Sequence, residues 1–150
     1  MIALTSLIHV TGLISYIYYV KAEISSNFEK AKIAPISKTR AYFIAMRILL
    51  VIVIGIVAIL TFETWLWAVL YVLIGEFETM ERALYFSTVT FTTLGYGDTL
   101  LNFRWQLLSS LEAMNGVILF GLSTGFAFTV MHRIFDLIEL LPRVKPGHSG

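Results

Sequence analysis

The sequence predicts an all-α membrane protein that crosses the bilayer three times and carries one re-entrant hairpin. Of its 150 residues, 57% are hydrophobic and only 14% charged. The apolar residues also gather into three stretches, each long enough to span a hydrocarbon core of about 30 Å. A soluble fold of this length would leave more apolar surface than its core could cover, so soluble enzymes and disordered regulators are excluded. The mean hydropathy of +0.80 agrees. Eleven Lys and Arg against ten Asp and Glu give a net charge of +1, and no basic run interleaved with aromatics suggests nucleic acid. With no cysteine, disulfides and thiolate chemistry are out, and assembly rests on packing and membrane lipid.

Residues 1–20 contain no acid and no Lys or Arg, enough at ~1.5 Å per residue to span the core once. A signal peptide is the rival reading, but no positive segment precedes the apolar run, no small-residue cleavage site follows it, and Lys21 lies on the wrong flank. Residues 21–40 read as a basic cytoplasmic linker with Lys21, Lys30, Lys32, Lys38 and Arg40. An outer helix is expected over 41–74, interrupted only by Arg47 and Glu63. No Gly or Pro near Thr61 to Thr64 supports a turn there, so one long, tilted crossing is expected rather than a re-entrant pair. The third crossing is expected over 103–135, with a short cytoplasmic tail at 136–150.

Basic residues in the linker and after the third crossing (Arg133, Arg143 and Lys145), with Glu76, Glu78, Glu81 and Asp98 against only Arg82 and Arg104 between the second and third crossings, predict an N-terminus outside and a C-terminus inside. Trp65, Trp67 and Trp105 are expected at the outer interface, and Tyr16, Tyr18 and Tyr19 near the inner one. Pro35 and Pro142 mark non-helical cytoplasmic stretches. Arg47 is expected to snorkel to headgroups. Glu63 either pairs with a polar group of the first helix, such as Thr11, or lies near the outer interface.

Residues 80–98, MERALYFSTVTFTTLGYGD, are apolar enough to enter the membrane but too short to cross it twice. A short helix is expected over 80–92, with Thr79 as N-cap, and it cannot continue through Gly95-Tyr96-Gly97. Irregular backbone at membrane depth survives only inside protein or beside water. Its carbonyls need partners, and a cation can serve as one. Gly95 and Gly97 permit the positive φ that lets alternate carbonyls face one path, and Thr93 adds a hydroxyl.

Thr92-Thr93-Leu94-Gly95-Tyr96-Gly97-Asp98 resembles the potassium-channel selectivity filter, whose usual form is Thr-Val-Gly-Tyr-Gly-Asp. It sits after a pore helix (Ala83 to Ser87) and before an inner helix, so the likeness covers residues 41–135, the expected pore domain. The stretch from Gly116 to Thr124 is similar to the hinge-glycine segment of bacterial two-transmembrane potassium channels. The resemblance implies K+ bound by a filter over 93–98, the carbonyls of Thr93, Leu94, Gly95 and Tyr96 and the Thr93 hydroxyl lining the ion sites, with Gly97 completing the ribbon. It implies no other cofactor. Asp98 would sit at the outer mouth, and Tyr96 would point away from the path to brace the ribbon against Tyr85 and Phe86. One motif per chain implies a homotetramer.

Leu94 stands where valine is commoner, and Val89 where some bacterial relatives place an acid behind the filter. Glu112 is either a substitute brace behind the filter, reached by Asn115, Thr90 or filter backbone, or a group snorkelling to the outer interface. Val117, Phe120, Thr124 and Phe128 fall on one helical face, which the resemblance makes the cavity lining, although core packing gives the same spacing. Gly116 is a hinge or a packing glycine; Gly121 and Gly125 are expected at close helix contacts. His132 lies near the convergence of the inner helices, either as a proton sensor or simply as an interfacial histidine, and His9 carries less expectation of sensing.

No segment repeats Arg or Lys every third residue, so no dedicated voltage sensor is expected. Fifteen residues after Phe135 are too few for a ligand-binding domain, which leaves gating to the pore, lipid, pH or an unknown regulatory partner. The rival enzyme is an intramembrane aspartyl protease, since Gly95-Tyr96-Gly97-Asp98 fits Gly-x-Gly-Asp, but its second aspartate is lacking: Asp136 lies across the membrane. The closer rivals are a weakly selective cation channel and a non-conducting channel-like subunit.

Overall fold

The computed structural model describes residues 1–33 and 38–139. It is all helical: α1 (Ile2–Ile33), α2 (Lys38–Leu73), α3 (Met80–Phe91) and, after a single 3-10 turn at Phe103–Trp105, α4 (Gln106–Glu139). Three stretches, Ile2–Glu23, Thr39–Leu73 and Phe103–Asp136, are long and apolar enough to cross a membrane, which makes this a multi-pass membrane protein. Pro35, Pro142, Arg143 and Lys145 lie outside the described residues.

Helix α1 runs well past residue 20, through most of the segment assigned above to a linker. The physical reason is plain in the chain: no Gly or Pro occurs between Lys21 and Ile33 to stop it. Helix α2 is unbroken across 61–64, where the Thr61 hydroxyl donates to the Val57 carbonyl and the Thr64 hydroxyl to the Thr61 carbonyl. It ends in a Gly-terminated turn: Gly75 takes φ 78°, and the Glu76 amide returns to the Tyr71 carbonyl at 3.0 Å. Glu76 then clamps the far end of the hairpin by accepting from the Asn102 amide (2.9 Å) and side chain (3.0 Å).

Helices α1 and α2 pack antiparallel with a constant register. His9 faces Glu63, Gly12 faces Ile59, Tyr16 faces Gly55, and Glu23 faces Arg47. At Gly55 the Tyr16 hydroxyl occupies the space a Cβ would need, so that glycine is a socket for an aromatic ring. The register bears on three expectations. Tyr16 is a packing residue within the bundle. Arg47 is exposed and donates to Glu23 of α1 at 2.5 Å. Glu63 is fully buried and pairs with a polar group of the first helix, the first of the two alternatives, but the group is His9 and not Thr11, which lies on the exposed side of α1 two residues away.

The core between α2, α3 and α4 is aromatic. Tyr71, Phe77 and Phe86 form a cluster with ring centroids 5.2–6.3 Å apart, and Trp67 stacks behind Tyr71 at 6.3 Å. Trp67 is therefore wholly buried and not an interface residue, whereas Trp65 is exposed and Trp105 is half-buried beneath Arg104. Helix α4 crosses the end of α3 at Gly116, where an added Cβ would overlap the Phe91 carbonyl oxygen. Gly121 and Gly125 are exposed with open space beside them, so the close contacts expected of them do not occur within this chain: their face of α4 is turned away from its neighbours.

Gly116→Ala must push α3 away from α4, and its expected cost is about 1–3 kcal/mol. Thermal unfolding of the purified full chain in detergent checks this: a lowered melting temperature is expected, and an unchanged one would contradict the contact.

Candidate functional site

Helix α3 positions the glycine-bearing segment. It begins where Thr79, in extended backbone, accepts the Arg82 amide through its hydroxyl (3.4 Å), with Glu81 in the first turn favoured by the helix dipole. It ends at Phe91, and the chain then folds its donors back onto the last turn. The Thr92 amide bonds to the Thr88 carbonyl (3.1 Å), Thr93 to Thr90 (2.9 Å), and both Leu94 (2.9 Å) and Gly95 (3.2 Å) to Val89. Val89 thus serves the ribbon through its carbonyl, a role its apolar side chain does not advertise.

Beyond that turn the sign of φ alternates. Thr93 (59°), Gly95 (53°) and Gly97 (76°) are positive, while Leu94 and Tyr96 are not. In an ordinary strand successive carbonyls point to opposite sides; reversing every second residue lets them share one side. The two glycines accept this at little cost. Thr93 is β-branched and holds a conformation costing on the order of 1–3 kcal/mol. Nothing in the sequence signalled that strain. Among the described residues no N–H or hydroxyl donates to the carbonyls of Thr93 to Gly97, and all five residues are exposed in the single chain. The first half of the segment, through Gly95, therefore has its amides engaged by α3, while the carbonyls of the whole segment are open.

Asp98 accepts a hydrogen bond from the Tyr85 hydroxyl at 2.7 Å, pinning the far end of the ribbon to α3. Tyr96 is 66% exposed, and among the described residues no ring contact ties it to Tyr85 or Phe86. The expected brace is thus not made within the chain, because Tyr85 is engaged by Asp98 and Phe86 is drawn into the cluster with Tyr71 and Phe77. Behind the ribbon a cavity of about 310 Å³ separates it from α4, bordered by Gly95, Gly97, Ser109 and Ala113.

Glu112 is fully buried under α3. Its partners are neither Asn115 nor Thr90 nor the ribbon: Tyr71 donates to one carboxyl oxygen at 2.6 Å and Ser87 to the other at 2.5 Å. Ser87 also lies 2.9 Å from the Thr64 carbonyl. The network joins α2, α3 and α4 one turn before the carbonyls that hold the ribbon. Asn115 turns instead toward α1, donating to the Thr5 hydroxyl at 2.8 Å.

Along α4, Val117, Thr124 and Phe128 are exposed, while Phe120 is half-buried with its ring 5.8 Å from that of Phe91. Gly116 belongs to the α3 contact, and α4 runs through it without interruption. His132 is exposed and stacks on Phe128 at 5.7 Å. Sequence reasoning missed Tyr71, Ser87 and His9 as members of buried polar networks. Their one signal was arithmetical: two carboxylates within spanning helices need two sets of partners.

A family model described as "Ion channel" matches residues 48–133, more than half of the chain. The chain belongs to this ion channel family. No curated protein and no solved structure matches it. The match places the channel's α3, ribbon and Glu112 network inside the family region, with α1 outside it, and it removes the protease reading.

In this channel Glu112→Ala leaves the buried Tyr71 hydroxyl without its acceptor, at a cost of about 1–3 kcal/mol, while Ser87 keeps the Thr64 carbonyl as an acceptor. The expected result is a clear loss of thermal stability, reduced when Tyr71→Phe and Ser87→Ala are added. If the single and triple variants melt together with the parent, the network has no such role.

Proposed function

We propose that the protein is a potassium-selective channel in which four identical chains surround one axis and present the carbonyls of Thr93, Leu94, Gly95 and Tyr96, with the Thr93 hydroxyl, to dehydrated K+. The observation that carries this reading is the open row of carbonyls on a ribbon of alternating φ sign whose amides through Gly95 are already used by α3. A potassium ion gives up its water only where oxygens replace it in sequence. One ribbon supplies one side of such a ring, so the remaining oxygens come from further copies. Exposure of Leu94, Tyr96, Val117 and Phe128 in the single chain is consistent with surfaces completed by neighbours.

In this assembly each α3 aims its C-terminal end, worth roughly half a negative charge, below the filter and favours a cation there. Asp98 and Tyr85 fix the outer end of the filter, and Glu112 holds α3 from behind. The exposed face of α4 lines the cavity, and the filter side of the bundle is extracellular by the distribution of basic residues.

Reversal potentials of the full chain in liposomes, under opposed potassium and sodium gradients, test the selectivity. A value near the potassium equilibrium potential is expected. A value near zero identifies a weakly selective cation channel and points to Leu94, and absence of current identifies a non-conducting subunit. Gly95→Ala should abolish flux while cross-linked tetramers remain, because a side chain resists the φ of 53° found there; undiminished flux would reject the assigned filter.

A further inference from the structure

Helix α1 lies outside the family region, yet its histidine is at the centre of the junction between the three spanning helices. His9 is fully buried. Its Nδ1 lies 3.1 Å from Glu63 Oε1 on α2, and its Nε2 lies 3.0 Å from Ser123 Oγ on α4. One turn earlier on α1, Thr5 holds Asn115 of α4. Both ring nitrogens are therefore engaged, each by a different helix.

The chemistry of the two contacts differs. A carboxylate oxygen only accepts, so Nδ1 serves Glu63 as a donor. The serine hydroxyl both donates and accepts, which leaves Nε2 free to change role. Unprotonated, it accepts from Ser123. Protonated, it donates, and the hydroxyl must turn its hydrogen elsewhere, the carbonyl one turn back at Leu119 being within reach of a helical serine. From α2 the ionisable group facing the ring is Glu63. From α4 the facing group is Ser123, which does not titrate in this range, and on α1 the residues one turn either side, Thr5 and Leu13, carry no charge.

Among the described residues three buried polar atoms have no partner: Glu63 Oε2, Trp67 Nε1 and Asn115 Oδ1. The α1–α2 register puts Trp67 level with Thr5, and so with Asn115. The junction thus holds spare donors and acceptors that can re-pair when the ring changes state. The order serine, histidine, glutamate is also that of a nucleophilic triad, but all three side chains are buried and no substrate reaches Ser123.

We propose that His9 is a proton-responsive positioning residue of the channel: by reversing its hydrogen bond to Ser123 it resets the seat of α4 against α1 and α2. Ser123 is buried while its neighbour Thr124 is exposed, so a shift of the buried face moves the exposed one. The inference holds for whichever ion passes and rests only on α4 lining the pore.

Single-channel recordings of the full chain in liposomes, from about pH 5 to 8, read the effect. Wild type should change its open probability across this range. Ser123→Ala, which cuts only the link to α4, should lose that change. His9→Gln should lose it too, since glutamine offers Glu63 a donor and Ser123 an acceptor but does not titrate. Reversal potentials should be the same in all three, which separates failure here from failure of the potassium reading. As the chain has no cysteine, spin labels at Ser15→Cys and Thr129→Cys report the α1–α4 distance without any current. A pH-dependent shift in wild type that Ser123→Ala abolishes is expected. A pH-independent distance in wild type, or variants that keep the wild-type pH profile, would overturn the proposal.

Discussion

A peptide carbonyl between spanning helices must find a partner, because leaving it bare in a low-dielectric interior costs several kcal/mol. The segment after α3 meets this constraint asymmetrically. The amides of Thr93, Leu94 and Gly95 return to the carbonyls of Val89 and Thr90, and among the described residues no donor reaches the ribbon's own carbonyls. Backbone that donates inward and accepts outward is a cation site in outline before any ion is considered. Much else in the chain serves to hold that backbone still. Gly116 lets α4 touch the last carbonyl of α3, Asp98 ties the far end to Tyr85, and the positive φ at Thr93 is a strain held by the amide bonds of Thr93 and Leu94 back to α3.

Two buried carboxylates show how the fold accommodates charge within spanning segments. Glu112 is held by two hydroxyls from different helices, and Glu63 by an imidazole from α1. Each is a cross-tie whose removal would leave its partners bare, so both specify helix register more than they add stability. Through the second, α1 becomes a third wall of the bundle. Its glycine at position 12 and the socket at Gly55 bring it close to α2, while Thr5 and His9 bind it to α4.

Much of this architecture was legible in the chain. Three apolar stretches gave three helices, Thr79 capped α3, and Gly95 and Gly97 took the positive φ their lack of a side chain allows. What the chain concealed were matters of pairing across helices. Spacing shows that Glu112 and Asn115 lie nearly one turn apart on α4, but not that one turns toward α2 and α3 and the other toward α1. Trp67 read as an interface tryptophan because composition cannot distinguish a ring buried beside Tyr71 from one lying among headgroups. The length of α1 was underread because basic residues suggested a loop, although charge does not end a helix when no Gly or Pro interrupts it. The strain at Thr93 arises from the turn off α3 and has no local signature.

The proposed coordination of potassium by the open carbonyls of residues 93–96 requires four copies of the chain around one axis. A structure of the assembled protein in potassium, repeated with thallium as a heavier substitute, tests it most directly. Density for dehydrated ions in single file on a fourfold axis, each surrounded by carbonyls from every subunit, is the expected result. Ribbons splayed toward lipid, or an assembly without that axis, would contradict it.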